Sequence, residues 1–191
     1  MKKNRNIQIV LDLTMSMKDT IGMVYVFLYE LLSLINETKG GLVTFQLTWF
    51  SGDAHETVKF ENDKIYTDKI GEFFNKLKSL PLKKGKSKES KIKDALLASM
   101  QNAEGEPGQQ VVFLFTDYHL DGRCMIDLYE SRGVNRVFLF VPKNQGAFYR
   151  FKIVDKNNVV QKLMPVLAWN LELLEEAFSE EDMEYILGNI G

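Results

Sequence analysis

The sequence predicts an α/β protein: a doubly wound, mostly parallel sheet with helices on both faces and one antiparallel edge strand. Two observations carry that prediction. Short, almost wholly apolar runs rich in β-branched and aromatic residues recur at Ile7–Leu13, Val111–Phe115 and Arg136–Val141, as strands covered on both faces require. Between them lie longer segments with apolar residues at helical spacing, so strand and helix alternate in the order that winds a parallel sheet.

The elements follow in turn. Ile7–Leu13 is the first strand. Met23–Ile35 is too long for a strand, and Val24, Phe27, Leu28, Leu31 and Ile35 form a helical stripe; further apolar residues around it predict a well-buried helix. Gly40-Gly41 closes that helix where a C-terminal cap favours glycine. Val43–Phe50 alternates, with Val43, Phe45, Leu47 and Trp49 on one side, and Ser51-Gly52-Asp53 turns into Glu56–Phe60, the antiparallel return strand. Thr67–Leu80 places Ile70, Phe73, Phe74 and Leu77 on one helical face and stops at Pro81. A helix from about Lys91 to Asn102 follows, and Gly105–Gly108 breaks the chain before Val111–Phe115. After the polar loop Asp117–Gly122 come a short helix at Met125–Ser131, the strand Arg136–Val141 and a weaker strand at Val159–Leu163. Asn170–Phe178 is helical, and Ser179-Glu180-Glu181-Asp182 is a capping-box pattern that starts a last turn or two ending at Gly188.

Composition narrows the function classes. A chain of 191 residues with 45% apolar content suits a single domain spanning 1–191, with a helical extension from about residue 170. The 24 basic and 26 acidic residues leave a net charge of −2, which argues against a task of neutralising phosphate backbones, so no nucleic acid is expected. Cys124 is the single cysteine, which excludes an intramolecular disulfide; with His55 and His119 as the only histidines, His/Cys metal chemistry has little to build on. The basic N-terminus leads into an apolar run that meets Asp12, unlike a signal peptide. No uninterrupted apolar run has the length of a spanning helix. The expectation is a cytoplasmic protein without a membrane partner.

Binding sites of doubly wound sheets gather in loops at the carboxyl ends of the strands, and two such loops are rich in side-chain oxygen. In Asp12-Leu13-Thr14-Met15-Ser16, one carboxylate and two hydroxyls alternate with apolar residues, a set suited to a hard cation such as Mg²⁺. Thr116-Asp117 holds the same position after Val111–Phe115. The same residue types also cap helices and turns, because they satisfy free backbone N–H groups. Two carboxylates facing one crevice repel, so removing Asp12 is expected to leave the ion-free fold at least as stable.

This pattern resembles the metal-ion-dependent adhesion site of von Willebrand factor type A (vWA) domains, which has Asp-x-Ser-x-Ser in a first loop, Thr in a second and Asp in a third. The order of elements resembles that family from Ile7 to about the last helix. The resemblance assigns Asp12, Thr14 and Ser16 to the first loop and Asp117, in a Phe-Thr-Asp context, to the third. Counting back from Ala95-Leu96 assigns the second-loop hydroxyl to Ser90, with Ser87 in reserve; Tyr118 stands where the family has glycine. It implies a bound Mg²⁺, with Mn²⁺ or Ca²⁺ as alternatives, completed by a Glu or Asp of a protein partner. The function implied is a non-enzymatic binding module. Two alternatives stay open: a vWA-like domain with a vacant metal site that binds through other surfaces, and a Mg²⁺-dependent phosphohydrolase of the haloacid dehalogenase type with Asp12 as nucleophile. That enzyme needs an acid–base aspartate two residues on, and Thr14 cannot exchange a proton near neutral pH as a tuned carboxylate can.

Charge is unevenly spread. Lys76, Lys78, Lys83, Lys84, Lys86, Lys88, Lys91 and Lys93 face only Glu89 across their stretch, as a solvated loop or a contact for nucleic acid or an acidic partner. Gly85-Lys86-Ser87 is similar to the end of a phosphate-binding loop, but Leu occupies position 80 and the segment follows a helix, so that reading fails. Glu172, Glu175, Glu176, Glu180, Glu181, Asp182 and Glu184 have no basic residue among them and read as the polar face of a helix with Leu173, Leu174, Ala177 and Phe178 inward. His119 lies near the candidate site as an exposed loop residue or a proton carrier. Cys124 reads as a small, at least half-buried side chain.

Overall fold

The computed structural model describes residues 5–39, 43–101, 110–118, 137–145, 148–154, 162–165, 170–178 and 180–187. Strand β1 (Arg5–Asp12) holds the middle of the sheet because it is apolar on both faces: Ile7, Ile9 and Leu11 enter one layer and Val10 the other, all fully buried. It pairs in parallel with β2 (Val43–Phe50), from Arg5 opposite Val43 to Asp12 opposite Phe50. On its other side it pairs in parallel with β4 (Gln110–Phe115), and β5 (Val137–Gln145) continues the parallel set. Strand β3 (His55–Thr57) is the expected antiparallel edge on β2, shorter than Glu56–Phe60. The backbone of Val58 extends the pairing by one more bond, its N–H donating to the Leu47 carbonyl at 2.8 Å.

Beyond β5 the sheet carries two further antiparallel strands, β6 (Phe148–Val154) and β7 (Lys162–Pro165), giving the order β3-β2-β1-β4-β5-β6-β7. The sequence reading passed over β6 and set the last strand a few residues early. Gly40-Gly41, Gly105–Gly108, His119, Cys124, Met125–Ser131 and Gly188 lie outside the described residues.

Helices α1 (Ile21–Lys39) and α2 (Ile70–Ser79) cover one face of the sheet, and α3 (Glu89–Gln101) covers the other. The α1 stripe of Val24, Phe27, Leu28, Leu31 and Ile35 is fully buried, as its spacing requires. By length and composition Ile21–Thr38 also qualifies as a membrane-crossing segment, which counting only uninterrupted runs does not reveal. The stripe lies buried against the sheet, while Val26 and Tyr29 of the same helix are exposed. Helix α2 starts at Ile70 rather than Thr67 because Thr67 is engaged elsewhere. Its N–H and carbonyl both pair with Phe45, and its hydroxyl donates to Glu72 at 2.5 Å. The C-terminal helices α4 (Leu171–Ala177) and α5 (Glu180–Leu187) join the α1 layer through Phe178, Met183, Ile186 and Leu187. Asn170 caps α4, accepting the Leu173 N–H at 2.9 Å.

Strand β2 departs from the half-solvated pattern that its alternation predicts, since all eight of its residues are buried. Thr44, Gln46 and Thr48 lie under polar partners instead of water. The Gln46 amide donates to the Ser99 carbonyl of α3 at 2.9 Å, the Ser99 hydroxyl donates to Gln8 at 2.7 Å, and the Asn6 amide donates to Thr44 at 3.1 Å. On the opposite face an aromatic layer spans β4, β5 and the C-terminal segment. Phe115 stacks on Phe140 at 4.6 Å between centroids, Phe113 meets Phe140 edge-on at 5.3 Å, and Phe178 meets Phe138 at 4.8 Å.

Phe113, fully buried among Phe138, Phe140 and Phe178, tests this layer. Phe113→Ala is expected to lower stability by about 3–5 kcal/mol in urea unfolding, the usual cost of such a cavity.

Candidate metal centre

The centre starts from the way β1 ends. Leu13 stays in register, its N–H donating to the Phe50 carbonyl at 2.9 Å, while its own carbonyl accepts the Lys83 N–H at 2.7 Å. A parallel bridge between Thr14 and Lys83 draws the loop before α3 alongside the end of β1. A single 3-10 turn at Met15–Met17 then turns the chain towards α1. Strand β4, paired to β1 through Leu11 opposite Phe115, delivers Thr116 and Asp117 at the same level. Three loops thus meet at the carboxyl edge of the sheet, where the topology places binding sites.

Asp12 is fully buried and accepts four hydrogen bonds. Its Oδ1 takes the Thr14 N–H at 2.9 Å and the Thr14 hydroxyl at 2.7 Å; its Oδ2 takes the Ser87 hydroxyl at 2.5 Å and the Thr116 hydroxyl at 2.6 Å. Thr14 Oγ1 lies 2.9 Å from Ser16 Oγ and 3.0 Å from Ser87 Oγ, and the Ser16 hydroxyl donates to Asp117 Oδ1 at 3.1 Å. Thr116 Oγ1 in turn accepts the Tyr118 N–H at 3.0 Å. Among the described residues no Lys, Arg or His forms an ion pair with Asp12 or Asp117.

Thr14, Ser16 and Ser87 each own one hydroxyl proton, and those three protons are shared among five contacts, two of them between hydroxyls in which either oxygen can donate. However the hydroxyls turn, at least two of these contacts bring oxygens together with no hydroxyl proton between them. Hard oxygens converging with spare lone pairs, and two carboxylates with no basic partner among the described residues, fit a small divalent cation. Among the described residues no group of three or more His, Cys, Asp and Glu occurs, so hydroxyls must complete any such site.

Asp117 stands exposed at the rim. Desolvation by the wall around it pushes its carboxyl above the ordinary value of 3.8, the negative charge of Asp12 adds to that push, and the bond from Ser16 opposes it.

Asp12, Thr14, Ser16 and Asp117 converge, whereas Ser90 does not join them. Ser90 is exposed in the first turn of α3, which begins at Glu89, two residues before the expected start. Ser87, the reserve candidate, is the second-loop hydroxyl that reaches Asp12. Thr116 was legible only as a neighbour of Asp117; its bond to Asp12 follows from the β1–β4 register. The reading as a helix cap holds in part, since Asp12 accepts the Thr14 N–H as a turn residue does. Thr14, at the cap position itself, makes no side-chain cap bond.

No protein-family model matches the sequence, and no curated protein matches it. Solved structures do match. The VWA domain of SpRpn10 is similar at 17% identity and a TM-score of 0.50, over 71% of this chain and 72% of that one. Proximal thread matrix protein 1 from the mussel byssus is similar at 16% identity and a TM-score of 0.52, over 73% of this chain and 37% of that one. The same mussel protein with a zinc-occupied MIDAS motif is similar at 15% identity and a TM-score of 0.51, and this chain spans 38% of its length. The fold is that of a vWA domain.

The four donors on Asp12 reverse the expectation that its removal is harmless. Asp12→Ala leaves buried donors without an acceptor, and in metal-free protein it is expected to lower the urea midpoint, at about 1–3 kcal/mol per orphaned group. Asp117→Asn is expected to do the opposite. A raised carboxyl pKa gives stability that is present below the ordinary value and lost as pH rises through the raised one. Metal-free wild type should therefore lose stability across that interval, and Asp117→Asn should flatten the profile and gain stability at neutral pH in the same urea titrations.

Proposed function

We propose that this vWA-fold protein is a divalent-cation-dependent protein-binding module, with Asp12, Thr14, Ser16, Ser87 and Asp117 as the residues that hold the ion. The observation that supports it best is the buried Asp12 carboxylate, ringed by hydroxyl oxygens and facing a second carboxylate, with no basic partner among the described residues. An all-oxygen set with neutral hydroxyls favours Mg²⁺, which keeps several waters, with Mn²⁺ or Ca²⁺ as alternatives. The zinc-occupied motif of the mussel protein is a precedent for metal on this fold. When bound, the ion supplies a positive charge that two carboxylates balance and an exchangeable position for a carboxylate from a partner's Glu or Asp.

The division of labour among the residues follows from their burial. Asp12 and Thr14 are buried and fix the floor of the site, while Ser16 and Asp117 are exposed and form the rim that a partner meets. The phosphohydrolase alternative needs an Asp12 oxygen free to attack phosphorus. It also needs an acid–base carboxylate two residues on, where Thr14 stands with its hydroxyl bonded to Asp12, and this weighs for a binding role.

A melting titration tests the proposal. Mg²⁺ or Mn²⁺ is expected to raise the melting temperature of wild type progressively, by about 2.7 kcal/mol of added stability at a hundredfold excess over Kd. Asp12→Asn should abolish the rise, Ser87→Ala should weaken it in part, and Ser90→Ala should leave it unchanged. Melting temperatures indifferent to both ions, or Ser90→Ala as damaging as Asp12→Asn, would overturn it.

A further inference from the structure

The lysine-rich segment between α2 and α3 is not a loop apart from the site but one wall of it. Five contacts fix it there. Lys83 donates its N–H to Leu13 and lays its ammonium over the Trp49 ring, 5.0 Å from the centroid. Gly85 adopts φ +107°, a conformation suited to glycine, and its Cα lies against Gly52. A Cβ on Gly52 would sit 2.7 Å from the Lys86 carbonyl oxygen, so the turn after β2 and the lysine loop touch backbone to backbone. Lys88 pairs with Asp53 at 3.1 Å.

Those contacts engage Lys83 and Lys88 and leave two lysines. Lys84 and Lys86 are exposed, and among the described residues neither has an acidic partner. Lys86 adjoins Ser87, whose hydroxyl bonds Asp12, so its Cα is ~3.8 Å from that of a residue in the metal cluster; Lys84 is at most ~11 Å away by the same chain geometry. Both distances are comparable with the screening length of about 8 Å at physiological ionic strength.

Resting on the metal-dependent reading above, we infer that the partner of this site is an acidic protein segment. One of its carboxylates seeks the ion, and neighbouring Asp or Glu residues meet Lys84 and Lys86. The two lysines act as specificity residues that separate a clustered acidic segment from an isolated carboxylate. A nucleic acid fits less well, because a phosphate backbone is held by a track of many cations, whereas this wall offers two, at a site that also carries the exposed Asp117. Charge matching of this kind sets partner choice and on-rate more than it adds contact area.

The test compares two labelled peptides on the intact chain in Mg²⁺: one carrying a single Glu among neutral residues, the other the same Glu flanked by Asp and Glu. The acidic peptide is expected to bind about tenfold tighter at low salt, with the preference shrinking as salt is raised. Lys84→Ser with Lys86→Ser should erase the preference, costing the single-Glu peptide far less affinity than the acidic one and leaving the melting temperature unchanged, and Asp12→Asn should abolish both interactions. Equal binding of the two peptides, or a preference that survives the double substitution, overturns the lysine assignment and leaves the metal site standing. If neither peptide binds although Mg²⁺ raises the melting temperature, the acidic-segment assignment fails; if Mg²⁺ has no effect either, the metal reading fails with it. A single-stranded oligonucleotide of matched charge that binds as tightly as the acidic peptide would identify the rim as a phosphate-binding surface and overturn the proposal.

Discussion

A carboxylate buried at the end of the central strand, with no basic partner among the described residues, is the constraint on which the functional end of this molecule depends. Removing an ionised group from water is costly unless hydrogen bonds replace its hydration. Asp12 meets that requirement with four donors drawn from three separate loops. None of the three loops can be displaced without uncovering one of those bonds. The local conformation of residues 12–16, the seating of the lysine segment on β1 and the position of Thr116 after β4 therefore describe one arrangement.

The sheet makes that arrangement possible through its register. Asp12 faces Phe50 across the β1–β2 pair and Leu11 faces Phe115 across the β1–β4 pair, so both neighbouring strands end at the same level as β1. Apolar residues on both sides of the central strands fix this register against slippage. Helix α3 adds a polar tie, through Gln46, Ser99 and Gln8, that positions it under β1 and β2. Its placement in turn sets where the loop before it, with Ser87, can reach.

What was legible in the sequence follows the same physics. Strands β1, β4 and β5 announced themselves because parallel strands buried on both faces read as uninterrupted apolar runs. Strand β6 was passed over because Arg150 and Lys152 alternate with Phe151 and Ile153, a pattern that resembles a polar connection unless period two is sought there. The convergence of Asp12, Thr14, Ser16 and Asp117 was legible, each placed by its distance from the end of a strand. The second-loop hydroxyl was legible only in reserve, because counting back from Ala95-Leu96 favoured Ser90 over Ser87. Lys88 accepts the N–H groups of Lys91 and Ile92, so α3 begins at Glu89, with an acidic residue in its first turn as the helix dipole favours. That shift places Ser90 inside the helix and Ser87 in the loop.

Crystals of the protein grown with Mn²⁺ and measured for anomalous scattering address the central claim most directly. The account predicts an anomalous peak among the oxygens of Asp12, Thr14, Ser16, Ser87 and Asp117. A fully occupied Mn²⁺ elsewhere, with the Asp12 hydrogen bonds to Thr14, Ser87 and Thr116 intact, would contradict it.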